Sequence, residues 1–178
     1  PMPPKLLDLI GALVATPSNP TGTLLTPVEL QAMAEFTAAR GGALIVDEIY
    51  HGLVYDAAAP TALALRDDVF VINSFSKYFN MTGWRLGWMV APARYVEAID
   101  RLAQNFFLAA PTPAQYAALA AFEPATLALL DARRWFAAEA ADYLRFQTGI
   151  LRRHCGSRQW ITHNFMGFGY ERLNYFDL

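Results

Sequence analysis

Three short apolar runs, each closed by polar residues at its C-terminal end, constrain this chain more than any other feature. Gly11 to Thr16 (GALVAT) stops at Pro17, Ala43-Leu44-Ile45-Val46 meets Asp47-Glu48, and Val69 to Asn73 (VFVIN) runs into Ser74. Runs this short, apolar throughout and bounded by turn residues, read as buried strands. Between the first two, Thr26-Pro27-Val28-Glu29 reads as a helix start, with Thr26 as the cap, Pro27 at the first helical position and Glu29 closing a capping box. Leu30, Met33, Ala34 and Thr37 then share one helix face, and Gly41-Gly42 stops the helix. Strand, helix, strand, strand with short connections implies a layered α/β fold. Arg85 to Val90 reads as a fourth strand, and Ala93 to Leu108 and Pro113 to Phe122 as helices. No internal repeat or low-complexity segment is visible.

In such sheets ligands collect beyond the carboxyl ends of the strands. Three of those ends carry Asn19, Asp47 and Lys77. Lys77 leaves the third strand behind Ser74 and Ser76, and Arg85 follows in the next turn beside Gly83 and Gly87. That set suits an aldehyde cofactor bearing a phosphate. The amine forms a Schiff base with the aldehyde. The guanidinium forks onto phosphate oxygens, and the hydroxyls add hydrogen bonds. Asp47, behind four apolar residues, is a carboxylate that needs a cationic partner. A protonated pyridine nitrogen is such a partner, and the pairing makes the ring an electron sink. Tyr50 lies three residues on, where its hydroxyl can meet the ring's phenolic oxygen. Asn19, in Ser18-Asn19-Pro20-Thr21-Gly22, can donate to the same oxygen, with Pro20 a candidate for a cis bond. Singly, each has an ordinary reading: surface lysine, salt-bridge arginine, core tyrosine, turn asparagine, capping aspartate. Their order along the chain, each at a strand end, is what argues for a site.

Composition excludes several other classes. The chain has 178 residues and a formal net charge of −2, so no nucleic acid partner is expected. A single cysteine, Cys155, allows no intrachain disulfide and suits a reducing, cytoplasmic setting. The apolar stretch Phe106 to Phe122 contains Pro111, Pro113 and Gln115, so no membrane span is expected. His154, Cys155 and His163 match no standard zinc spacing, and no metal site is expected. The apolar content of 54% is rich for a lone domain, as if faces were meant for partner surface. With a start at Pro1 and an abrupt end at Leu178, the chain reads as a piece of something larger.

The motifs SNPTG, VDEIY and SFSK followed by MTGWRLGW closely resemble those of the class I and II aminotransferases, fold type I enzymes that use pyridoxal 5'-phosphate. The likeness covers roughly residues 11 to 134. It implies a three-layer α/β sandwich with a mostly parallel sheet, here a fragment of the large cofactor-binding domain. It implies Lys77 as the lysine bonded to the cofactor, Asp47 on the pyridine nitrogen, and Asn19 and Tyr50 on the ring hydroxyl. Ser74, Arg85 and Ser76 fall to the phosphate. It implies transfer of an amino group from an amino acid to a 2-oxo acid, in a homodimer with sites near the subunit interface. The family's N-terminal phosphate loop and stacking aromatic, and the arginine for the substrate carboxylate, have no counterpart in this reading. A β-lyase of the same fold type, or a non-catalytic cofactor-binding module, shares every residue named.

After Arg134 the composition shifts to aromatics and arginines. Leu144-Arg145-Phe146-Gln147, Ile150 to His154 and Ile161 to Gly167 resemble a segment of family-42 β-galactosidases, a helix and one barrel strand. Neither Glu139 nor Glu171 matches a catalytic glutamate of that family. The expected organisation is therefore a partial large domain over 1–134 and a tail of uncertain origin over 135–178, joined near Arg134-Trp135, with a divergent start of the small domain as the alternative.

Overall fold

In the computed structural model, which describes residues 11–55 and 57–154, the three apolar runs are β1 (Gly11–Ala15), β2 (Ala43–Asp47) and β3 (Phe70–Ser74). β4 (Gly87–Val90) completes a four-stranded sheet of order β1-β2-β3-β4. β1, β2 and β3 are parallel, with Val14 opposite Val46 and Val46 opposite Val71. β4 is antiparallel to β3, with Ser74 opposite Gly87. The fourth strand thus starts two residues later than the sequence suggests. Arg85 instead takes a left-handed conformation (φ 53°), which ends a 3₁₀ turn over Thr82–Trp84.

Helix α1 (Pro27–Ala38) begins as the sequence indicates. The Thr26 hydroxyl accepts from Glu29 N at 3.2 Å, while Glu29 Oε2 accepts from Thr26 N at 2.8 Å. These bonds satisfy amides that have no partner inside the helix. Gly41, at φ 69°, turns the chain back toward β2, a backbone state that costs glycine little.

Alternation along the strands sorts the sheet into two faces. On one, Leu44, Val46, Val69 and Val71 pack with Leu30 and Ala34 of α1 and with Ala62 in one apolar core. The other face carries Leu13, Ile45, Phe70, Ile72 and Met89. There the ring of Tyr95, from α2 (Ala93–Phe106), lies 5.3 Å from that of Phe70. Helix, mixed sheet and helix give the layered α/β arrangement expected. A second cluster joins Phe75, Met81 and Leu86 to Ala114, Ala118 and Ala121 of α3 (Thr112–Ala121). It holds the segment between β3 and β4 against a helix.

The remaining described element, α4 (Pro124–His154), was not anticipated as a helix over its first half. Pro124 sits at its first position, where a missing N–H is harmless. The helix passes through Arg134 and Trp135 without a break. The chain divides between Ala121 and Phe122 into two compact units, and α4 lies in the second. The strand expected over 161–167, together with Cys155, His163 and Glu171, lies outside the described residues.

Candidate cofactor site

All seven candidate residues lie on the C-terminal ends of β1, β2 and β3 or in the segments that leave them. Three strands running the same way bring their ends to one edge, so residues far apart in sequence become neighbours.

The turn after β1 contains two cis peptides, Thr16–Pro17 and Asn19–Pro20. Ser18 closes it, its N–H donating to Thr23 O at 2.9 Å and its carbonyl accepting from Gly22 N at 2.7 Å. Thr16 is buried, and its hydroxyl accepts from Leu25 N at 2.9 Å. Asn19 thereby stands exposed on a pinned turn. Its Nδ2 donates to Tyr50 Oη at 3.2 Å. Lys77 Nζ lies 5.4 Å from the centroid of the Tyr50 ring. These three residues, one from each strand end, form one group.

A second group follows Ser74. Ser74 Oγ donates to Leu86 O at 3.0 Å and accepts from Ser76 N at 3.0 Å, with Ser76 Oγ 2.9 Å away. Thr82 Oγ1 donates to Ser76 O at 2.6 Å, and Arg85 Nη1 donates to Thr82 O at 3.0 Å. Two hydroxyls and a guanidinium are thus joined through Thr82, and Arg85 keeps further N–H donors for an anion. Arg85 is a non-glycine residue in the left-handed region, a costly backbone state of the kind that gathers at functional sites.

Asp47 is the last residue of β2, where its N–H side is locked into the ladder and its carbonyl accepts from Thr16 N at 3.0 Å. Its Oδ1 accepts from Ile49 N at 3.0 Å, an Asx-type closure of the turn toward Tyr50. This bond meets the capping reading of Asp47 and uses one of its two carboxylate oxygens.

Sequence reasoning passed over four residues around this edge. Thr82 links the two halves of the Ser76–Arg85 network. Glu48 alternates to the face opposite Asp47 and is 3% exposed. Its Oε1 accepts from Ala62 N at 2.7 Å and Thr61 Oγ1 at 3.1 Å, and Oε2 lies 3.4 Å from His51 Nδ1. Gly52 sits against Tyr78, the residue after Lys77. A capping acid three residues before a histidine was the signal available for Glu48; nothing local signals the Gly52–Tyr78 approach.

The donor set fits pyridoxal phosphate. It offers an amine, two hydroxyls and a guanidinium for an aldehyde and a phosphate, a carboxylate for a ring nitrogen, and an amide and phenol for a ring oxygen. Among the described residues no cluster of three or more His, Cys, Asp or Glu side chains is placed to hold a metal ion.

The family profile for aminotransferase class I and II matches residues 8–161. The chain is 47% identical over 125 residues to the valine–pyruvate aminotransferase of Mycobacterium tuberculosis, a match covering 69% of this chain and 32% of that protein. Among solved structures, an aminotransferase from Mycobacterium tuberculosis superposes with a TM-score of 0.69 at 45% identity, covering 73% of this chain and 36% of that one. An aspartate aminotransferase double mutant from Thermus thermophilus gives 0.72 at 27% identity, over 79% and 38%. The chain spans about a third of the length of the curated relatives it matches.

Proposed function

The chain belongs to the class I and II aminotransferases, and from that premise we propose that it carries the cofactor-binding edge of an enzyme moving an amino group from an amino acid to a 2-oxo acid. The observation that carries this reading is the grouping of Lys77, Tyr50 and Asn19, three residues from three strand ends. Bound pyridoxal phosphate would supply an electron sink next to the carbon that loses its proton.

The chain's own residues then divide the work. Lys77 would be the amine that holds the cofactor and, when its amine is free, the base that would move the α-proton to the cofactor's aldehyde carbon. Asp47 holds a proton on the ring nitrogen by pairing its negative charge with it. Asn19 and Tyr50 orient the ring through its oxygen. Ser74, Ser76 and Arg85 hold the phosphate, with Arg85 providing the charge-assisted fork.

The partners proposed are an amino acid and a 2-oxo acid, with no nucleic acid and no membrane. A homodimer is proposed from the apolar surface left in solvent, where Phe106 is 80% and Leu108 82% exposed. Cytoplasmic placement rests on the lone cysteine. Among the described residues no helix is long and apolar enough to cross a membrane. For residues 135–178 the β-galactosidase likeness favours a join near Arg134. The unbroken α4 and a family match reaching residue 161 favour a native continuation, which we adopt. The flanking gene sequence decides between them.

The test is product analysis with pyridoxal phosphate, a panel of amino acids and a 2-oxo acid. Equimolar new amino acid and new 2-oxo acid support the proposal. Ammonia with pyruvate marks a β-lyase, and cofactor binding without either product marks a binding module. Asp47→Ala should lower turnover far more than cofactor affinity, on the order of a hundredfold by analogy with lost electrostatic stabilisation.

A further inference from the structure

We infer that Gly52 and Tyr78 are a size-matched pair that sets Lys77 against Tyr50, which makes Gly52 a positioning residue for the lysine; this rests on the function proposed above. A Cβ built on Gly52 would stand 2.6 Å from Tyr78 Cβ and closer still to the ring atoms Cγ and Cδ2. Real Cβ atoms do not approach so closely. The obstructing atoms lie next to the Tyr78 backbone, so a tip rotation cannot relieve the overlap. Either the turn carrying Gly52 or the segment carrying Tyr78 must move.

The turn after β2 is anchored on its far side. Glu48 N donates to Ile72 O at 2.9 Å, its buried carboxylate takes Ala62 N at 2.7 Å and Thr61 Oγ1 at 3.1 Å, and His51 N donates to Glu48 O at 3.0 Å. Moving this turn breaks buried hydrogen bonds. Tyr78 is half-buried on a segment closed by Asn80 N donating to Lys77 O at 2.9 Å and Met81 N donating to Phe75 O at 3.0 Å, with its ring 5.0 Å from that of Phe79. Whichever side yields, the shift reaches a site residue, because Lys77 immediately precedes Tyr78. Tyr50 lies two residues before Gly52, and the 5.4 Å spacing between Lys77 Nζ and the Tyr50 ring spans this same contact. An enlarged residue 52 drives the two apart at the point where amine and ring oxygen must serve one small molecule.

The pairing predicts rescue. Gly52→Ala should reduce borohydride-trapped cofactor on Lys77, read by peptide mapping at a fixed subsaturating concentration of pyridoxal phosphate, by about tenfold or more, as expected when a reacting group is misplaced. Gly52→Ala with Tyr78→Gly should trap at the level of Tyr78→Gly alone, because the obstructing ring and its Cβ are both gone. Folding of every variant is followed by circular dichroism. If Gly52→Ala does not fold but the double variant folds and traps, the size match stands. If Gly52→Ala folds and traps like the parent, or the double variant is no better than Gly52→Ala, the inference is overturned. Failure of the parent chain to trap cofactor on Lys77 would instead overturn the proposed function, so the two failures are told apart.

Discussion

Asn19 Nδ2 donates to Tyr50 Oη at 3.2 Å, which ties the turn after β1 to the turn after β2 across the C-terminal edge of the parallel strands. The bond joins two groups that both claim the same ring oxygen in the proposed site. Removing either side chain should therefore not act independently. We expect Asn19→Ala and Tyr50→Phe each to weaken pyridoxal phosphate binding, and the double variant to lose less than the sum. A coupling energy of about 0.5–3 kcal/mol is usual for residues in one network. A fluorescence-monitored titration of all four proteins measures it, and strict additivity would separate the two residues.

Lys77 and Lys5 are the two lysines of the chain. Reduction with borohydride in the presence of pyridoxal phosphate should place the label on the peptide containing Lys77. Lys77→Ala should abolish it. Equal labelling of both lysines would show only the general reactivity of exposed amines.

Arg85 combines a charge with a fixed backbone twist. Arg85→Lys keeps the charge but loses the planar fork that matches phosphate oxygens. Arg85→Ala loses both, and a charge-assisted hydrogen bond contributes about 1.5–3 kcal/mol. Cofactor affinity should fall in the order parent, Arg85→Lys, Arg85→Ala, with the last lower by roughly tenfold to a hundredfold. Affinity for pyridoxal, which has no phosphate, should change little, and an equal loss for both ligands would remove Arg85 from the phosphate.

How much of this was legible beforehand follows the range of the interactions. The capping box of Thr26 and Glu29 uses residues three apart, and it forms as read. The strand ends at Asn19, Asp47 and Ser74 follow from runs of apolar residues. The left-handed Arg85 was not legible, because the reading carried β4 back through it. The Glu48 anchor and the Gly52–Tyr78 approach depend on segments brought together only by the sheet. The shift in composition near Arg134 suggested a boundary there. Helix-favouring Ala, Leu and Arg continue on both sides of it, and α4 runs through.

Helix α1 supplies a pH dependence whose sign can be worked out. Hydrogen bonds from Thr26 N–H and Thr26 Oγ1 hold the Glu29 carboxyl below its ordinary range. A group with a lowered folded value stabilises the fold above its unfolded value, and that contribution is lost as pH falls through the folded one. Thr26→Ala should cost about 1 kcal/mol at neutral pH by removing the cap. The gap between parent and variant should narrow on acidification below the ordinary carboxylate range, as chemical unfolding at a series of pH values would show. A constant gap would mean that Thr26 acts without Glu29.

The buried Glu48 carboxylate offers the sharpest stability test. Its Oε1 alone satisfies the Ala62 amide and the Thr61 hydroxyl, and its backbone extends the β2–β3 ladder through Ile72. Glu48→Ala removes the acceptor and leaves both donors in a buried pocket, where an unsatisfied group costs about 1–3 kcal/mol. Glu48→Gln keeps one oxygen acceptor of the same reach, so it should retain most of that stability. The two variants should therefore separate in urea midpoint, with Glu48→Ala the less stable. Because the same side chain anchors the turn bearing Tyr50, Glu48→Ala should also weaken the Asn19–Tyr50 coupling measured above. Equal midpoints for the two variants would show that water replaces the carboxylate at no cost, and would leave the turn held by its backbone alone.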